Sequence, residues 1–148
     1  MDKKNIRKLL LEQGKLLSSK FISDSNYKIQ STVMSEVDIK ESKNNLLYFP
    51  FRKEVALDLI TSELKKHANK IYMPIIISEQ MMKFNLLQEN SILEKNKFGI
   101  NEIKSEDFIH PFSFDTMFIP LVGVDANGCR LGYGLSLIHI WRCRRTVS

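Results

Sequence analysis

Apolar positions in the 148-residue chain recur first at helical and then at strand spacing. Over residues 3–20, Ile6, Leu9, Leu10, Leu16 and Leu17, with Gln13 on the same stripe, predict an amphipathic helix with a basic outer face. Gly14 weakens it. Ser23-Asp24-Ser25 reads as an N-cap cluster for a second helix over 25–37, with Ile29, Val33 and Val37 inward. Residues 41–45 read as a polar loop, and Leu46-Leu47-Tyr48-Phe49-Pro50 as a short apolar strand closed by proline. A third helix is predicted over 54–67, with Val55, Leu59, Ile60 and Leu64 apolar and Lys65, Lys66 and His67 suiting its C-terminal end. Residues 70–78 form a near-continuous apolar run of the kind buried in parallel sheets. Residues 82–87 suggest another strand, 91–98 a polar connection, 99–102 a turn, and 116–122 a last strand. This order predicts one α/β domain, a three-layer α/β/α arrangement around a mostly parallel sheet. Ligands in such sheets gather outside the carboxyl ends of the strands. Three ends qualify: Phe49-Pro50, the stretch after Ile77, and residues 122–134.

The last of these holds the most suggestive chemistry. Residues 125–134 read DANGCRLGYG. Gly128, Gly132 and Gly134 permit close backbone approach, and Arg130 supplies a planar, permanently charged fork suited to phosphate oxygens. Spacing alone allows either a phosphate cradle or a plain surface turn. Lys3 and Arg7, four apart on one helix face, are on spacing alone a solvated basic face or a phosphate contact. Glu54 suits the first turn of a helix. Met81, Met82 and Phe84 read as core or as the lining of a flat apolar pocket. His67 and His110 stand alone and receive no role.

Together these residues carry a resemblance. IPLVGVDANGCRLGYG resembles the C-terminal signature of the 5-formyltetrahydrofolate cyclo-ligase family, in which a strand leads into Asp-x-x-Gly-x-Arg-Leu-Gly-x-Gly. Lys3-Lys4-Asn5-Ile6-Arg7 is similar to the family's opening Lys-x-x-x-Arg, and YFPFRKEV to its substrate segment. The resemblance covers 1–134. It implies ATP contacts at Lys3, Lys4, Arg7, Arg130, Leu131, Gly132, Tyr133 and Gly134, and folate contacts at Phe49 and Glu54. It implies ATP-dependent closure of 5-formyltetrahydrofolate to 5,10-methenyltetrahydrofolate, releasing ADP and phosphate. It further implies a magnesium ion on the phosphates, whose aspartate ligand would follow Gly134, so no metal ligand is assigned in this chain. No protein nucleophile or other catalytic residue is implied. A cytoplasmic monomer acting on a small molecule is expected.

After Gly134 the chain leaves the family pattern, which continues Lys-or-Gly, Gly, Tyr, Tyr, Asp. Residues 135–148, LSLIHIWRCRRTVS, resemble a translated transposase sequencing adapter, with TGA read as tryptophan, and are expected to be non-native. The family domain is then incomplete and the chain is expected to be inactive or nearly so. Without Arg142, Arg144 and Arg145 the basic residues fall from 22 to 19 against 17 acidic ones, and the net charge from +5 to +2. That argues against a nucleic-acid partner. One remaining cysteine, Cys129, gives neither a disulfide framework nor a metal cluster and suits a reducing compartment. The charged N-terminus lacks the apolar stretch of a signal peptide, and no run is long enough to span a bilayer, so no membrane partner is expected. Two other readings remain: a non-catalytic nucleotide- or folate-binding α/β fragment, and a different α/β enzyme acting on a phosphate ligand.

Overall fold

Helix α1 (Lys3–Lys15) begins where the Asp2 carboxylate accepts from Asn5 N at 2.8 Å, satisfying a donor the first turn leaves free. These atoms belong to a computed structural model that describes residues 2–78 and 81–132. Helix α2 (Ser19–Glu36) starts directly after, because the Ser18 hydroxyl accepts from Phe21 N at 3.1 Å. The predicted break near residues 20–25 therefore falls earlier, and Ser23-Asp24-Ser25 lies inside α2. Helix α3 spans Asp58–Lys66, four residues shorter at its start than expected. Its cap comes from another element: Gln30 of α2, 1% exposed, accepts from Leu59 N at 2.8 Å and Ile60 N at 3.2 Å. The same side chain donates to Asp58 Oδ1 at 3.0 Å.

The central sheet has the order β3-β2-β1-β6, from β1 (Asn44–Leu46), β2 (Lys70–Ile76), β3 (Met82–Leu86) and β6 (Thr116–Met117). Strand β1 runs parallel to both β2 and β6, and β3 is antiparallel to β2. The expected mostly parallel sheet of an α/β domain is thus present. Alternation along the strands sends Leu47, Ile71 and Met73 to one face, where they pack with Ile60 and Leu64 of α3 and Val33 and Met34 of α2. Leu46, Tyr72 and Phe84 point to the other face and meet Phe114, whose ring stands edge-on to both Tyr72 and Phe84.

Two hairpins lie outside this sheet. Strands β4 (Leu93–Lys95) and β5 (Asn101–Ile103) pair antiparallel where the sequence predicts a polar connection and a turn. Both are three residues long and charged, so neither presents a hydrophobic period. Strands β7 (Gly123–Val124) and β8 (Arg130–Leu131) close a second hairpin. The predicted last strand over 116–122 is therefore regular only at Thr116–Met117, beyond which the chain runs on to β7.

Candidate functional site

A cavity of about 350 Å³ opens at the carboxyl ends of β1, β2 and β6. Leu47, Tyr48 and Phe49 enter it from the end of β1, Ile76 from β2, and Phe118, Ile119 and Pro120 from the continuation of β6. That is where a parallel sheet leaves an open crevice. Met82 of β3 and Phe98 from the β4–β5 tip complete a mainly apolar lining. Of the other pocket candidates, Phe84 is 1% exposed in the core and Met81 is 52% exposed, and neither lines the cavity.

Glu54 is the half-buried carboxylate of this lining. The chain leaves β1 through Tyr48, whose hydroxyl donates to Val55 O at 2.8 Å and ties down the following segment. A tight turn then closes on itself: Phe51 N donates to Glu54 Oε1 at 2.7 Å, and Glu54 N to Phe51 O at 3.3 Å. Arg52 adopts a left-handed backbone, φ 58°, within it. Glu54 thus precedes α3 and does not serve as its first-turn acid, as the sequence suggested. Burial pushes its carboxyl above the ordinary glutamate range, and the Phe51 N–H only partly offsets this. Phe49, half-buried, packs on the α3 core cluster while also facing the cavity.

The tip of the β4–β5 hairpin supplies residues that sequence reasoning passed over. Asn96 Oδ1 accepts from Phe98 N at 2.9 Å and from Ile100 N at 3.1 Å, which shapes the turn. Its Nδ2 is buried and meets no hydrogen-bond partner among the described residues. Glu102 Oε2 accepts from Ile76 N at 2.6 Å, locking this hairpin to the end of β2. The signal available in the sequence was Asn96 and Gly99 flanking Phe98, a turn pattern that exposes an aromatic ring.

The phosphate candidates fall on the far side of the cavity. Arg7 Nε donates to Gly132 O at 2.6 Å, joining α1 to the end of β8. Helix and hairpin are close enough that a methyl on Gly123 would sit 2.8 Å from Leu10 Cδ1. Lys3 and Lys4 are exposed at the start of α1, and Arg130 and Leu131 lie on β8. Gly128 has φ 76° and serves the hairpin turn. There Asp125 takes up the local donors, its Oδ1 accepting from Asn127 N at 2.9 Å and Cys129 N at 2.8 Å. Those hydrogen bonds, chiefly the one from Cys129, hold its carboxyl below the usual range. Residues 125–128 are therefore a self-satisfied turn. Tyr133, Gly134 and residues 135–148 lie outside the described residues.

No group of three or more His, Cys, Asp or Glu side chains converges among the described residues. The described residues therefore do not supply a clustered set of magnesium ligands. His67 Nε2 lies 3.1 Å from Glu63 Oε1, and His110 Nδ1 accepts from Phe112 N at 3.2 Å; both are local structural contacts. No helix among the described residues is long and apolar enough to cross a membrane.

The sequence and the fold have counterparts among known proteins. A 5-formyltetrahydrofolate cyclo-ligase from Haemophilus influenzae is 28% identical over 102 residues, covering 66% of this chain and 54% of the relative. The chain thus spans about half the length of that relative. A 5-formyltetrahydrofolate cyclo-ligase from Mycoplasma genitalium is 30% identical over 136 residues, covering 90% of the chain and 72% of the relative. Among solved structures, the 5,10-methenyltetrahydrofolate synthetase of Aquifex aeolicus superposes with a TM-score of 0.82 at 26% identity, over 96% of this chain and 73% of the other. That of Mycoplasma pneumoniae gives 0.79 at 25% identity, over 100% and 81%. Residues 1–136 match the family described as the 5-formyltetrahydrofolate cyclo-ligase family, and the chain belongs to it.

Proposed function

We propose that this domain binds 5-formyltetrahydrofolate in the apolar cavity and, with ATP, closes it to 5,10-methenyltetrahydrofolate. The observation that carries the reading is Glu54: a partly desolvated carboxylate, aimed by the Phe51 N–H, in a mainly apolar crevice at the ends of parallel strands. A flat pterin needs apolar walls for its faces and an acceptor for its paired amino and ring N–H donors. Phe49, Met82 and Phe98 supply the walls and Glu54 the acceptor.

The chemistry asks for positioning more than for a protein nucleophile. The formyl oxygen attacks the γ-phosphorus of ATP and ADP departs. The resulting phosphorylated imidate carbon is electrophilic, the neighbouring bridge nitrogen attacks it, and phosphate leaves as the ring closes. Arg7 stands on the nucleotide side, where Gly132 holds it, and Lys3, Lys4 and Arg130 add positive charge for the phosphates. The apolar lining keeps water from the activated intermediate.

Because the run after Gly134 departs from the family pattern, steady-state turnover is expected to be slow, so the test is a single turnover with protein in excess. Methenyl product should form only when ATP is present. Product formed equally without ATP, or none with ATP although both ligands bind, contradicts the reading. The second outcome would favour a non-catalytic binding fragment.

A further inference from the structure

One polar group in the cavity lining has no use in the fold. Glu54 and Glu102 each accept from a backbone N–H, that of Phe51 and that of Ile76, and the Tyr48 hydroxyl donates to Val55 O. Asn96 differs. It lines the cavity, yet its Nδ2 is buried and meets no hydrogen-bond partner among the described residues. A donor taken out of water and left unpaired destabilises the chain that holds it. Such a group beside a ligand cavity points to a partner that arrives with the ligand.

The turn itself fixes which way this amide faces. Asn96 Oδ1 accepts from Phe98 N and from Ile100 N, and Asn96 O accepts from Gly99 N at 3.0 Å. Flipping the amide would set its NH2 against two N–H groups. The turn therefore uses only the acceptor half of the side chain. An aspartate would close it through a charged oxygen and leave no donor over. The NH2 is surplus to the fold. This turn also adjoins the one that aims Glu54, since a methyl on Gly99 would sit 3.9 Å from Phe51 Cε2.

We propose that Asn96 is a specificity residue whose Nδ2 donates to the ring carbonyl of the pterin. This rests on the folate reading of the cavity. One edge of a pterin presents the 2-amino group, then the ring N–H, then the carbonyl oxygen. The Glu54 carboxylate matches the two donors, and an amide N–H matches the acceptor beside them. A ring carrying an amino group in place of the carbonyl would set donor against donor at Asn96. Strands β4 and β5 are three residues each, so their tip can make the small shift that brings Nδ2 onto a ligand.

The test is calorimetric titration with two uncharged ligands, 5-formyl-6-methyltetrahydropterin and its 4-amino counterpart. The informative variant is Asn96→Asp, which keeps the acceptor of the turn and removes the donor. The 4-amino ring also changes the nitrogen that Glu54 reads, so the deciding quantity is the shift in preference between native and variant. Asn96→Asp should weaken binding of the carbonyl ligand by roughly 5- to 20-fold. It should leave the 4-amino ligand unchanged or tighten it, because a carboxylate accepts from that amino group. Should Asn96→Asp fail to fold in a melting curve, Asn96→Ser closes the turn more weakly and should show the same loss for the carbonyl ligand. Unchanged affinity for the carbonyl ligand, or equal weakening of both ligands, overturns this proposal and leaves the folate reading standing. Binding of neither ligand by the native protein would sink the folate reading and this proposal with it.

Discussion

Glu54 shows what a half-buried carboxylate costs its own fold. Its carboxyl is raised by burial, so folding favours the protonated form. Stability contributed by that preference is present at low pH and is lost as pH rises through the folded-state pKa, above the ordinary glutamate range. Glu54→Gln keeps the acceptor for Phe51 N–H and removes the charge. It is expected to stabilise the domain at neutral pH by no more than about 1 kcal/mol, given the group's partial solvent contact, and the gain should vanish in acid. Thermal melts of both proteins across pH check this. Arg7→Ala, which frees Gly132 O, should weaken binding of a non-hydrolysable ATP analogue about 10-fold, measured by titration. Glu54, Phe49 and Gly132, which line the cavity, and Arg7, which bonds Gly132, were picked out in the sequence because they sit in motifs. Arg52, Asn96 and Phe98 were not, since their placement depends on a left-handed turn and a charged hairpin that leave no hydrophobic period.

The helices show where sequence reading stops at the level of elements. Their apolar stripes were plain, but their ends depend on partners distant in sequence. Gln30 caps α3 from within α2, so nothing local to residue 58 marks that start. Gln30→Ala leaves two backbone donors without their partner and should cost about 2 kcal/mol, read from the urea midpoint. The other end of the site is tied similarly. Lys53 Nζ donates to Gly14 O at 2.9 Å, Lys15 O at 3.0 Å and Leu17 O at 3.3 Å, closing the C-terminus of α1 with a cation from the Glu54 turn. Lys53→Met should speed hydrogen exchange at the last turn of α1 while costing at most about 1 kcal/mol in global stability. An unchanged exchange pattern would show that this tether does not hold the helix. A buried asparagine plays the same part from within β3: Asn85, fully buried, donates to Ile103 O at 3.1 Å and Ser105 O at 2.6 Å.

At the scale of the molecule, the sheet does the organising. Apolar runs in the sequence located β2 and β3, and the order of the helices and strands implied a mostly parallel sheet with a crevice at the carboxyl ends, although the β2–β3 pair itself is antiparallel. The cavity lies there, bounded by β1, β2 and β6. What no linear pattern conveyed is that a hairpin of three-residue strands walls one side, or that the 125–128 turn satisfies itself through Asp125. The proposed function divides this crevice into two half-sites, a folate side built on the Glu54 turn and a nucleotide side built on Arg7 and Gly132. The measurement that tests this most directly is calorimetric binding of 5-formyltetrahydrofolate to the native chain and to Glu54→Gln, with melting curves showing both folded. The account predicts saturable binding by the native chain and a loss of about 10- to 100-fold in the variant, the scale of a hydrogen bond to a charged group. Equal affinity in the two proteins would contradict it and place the pterin somewhere other than Glu54.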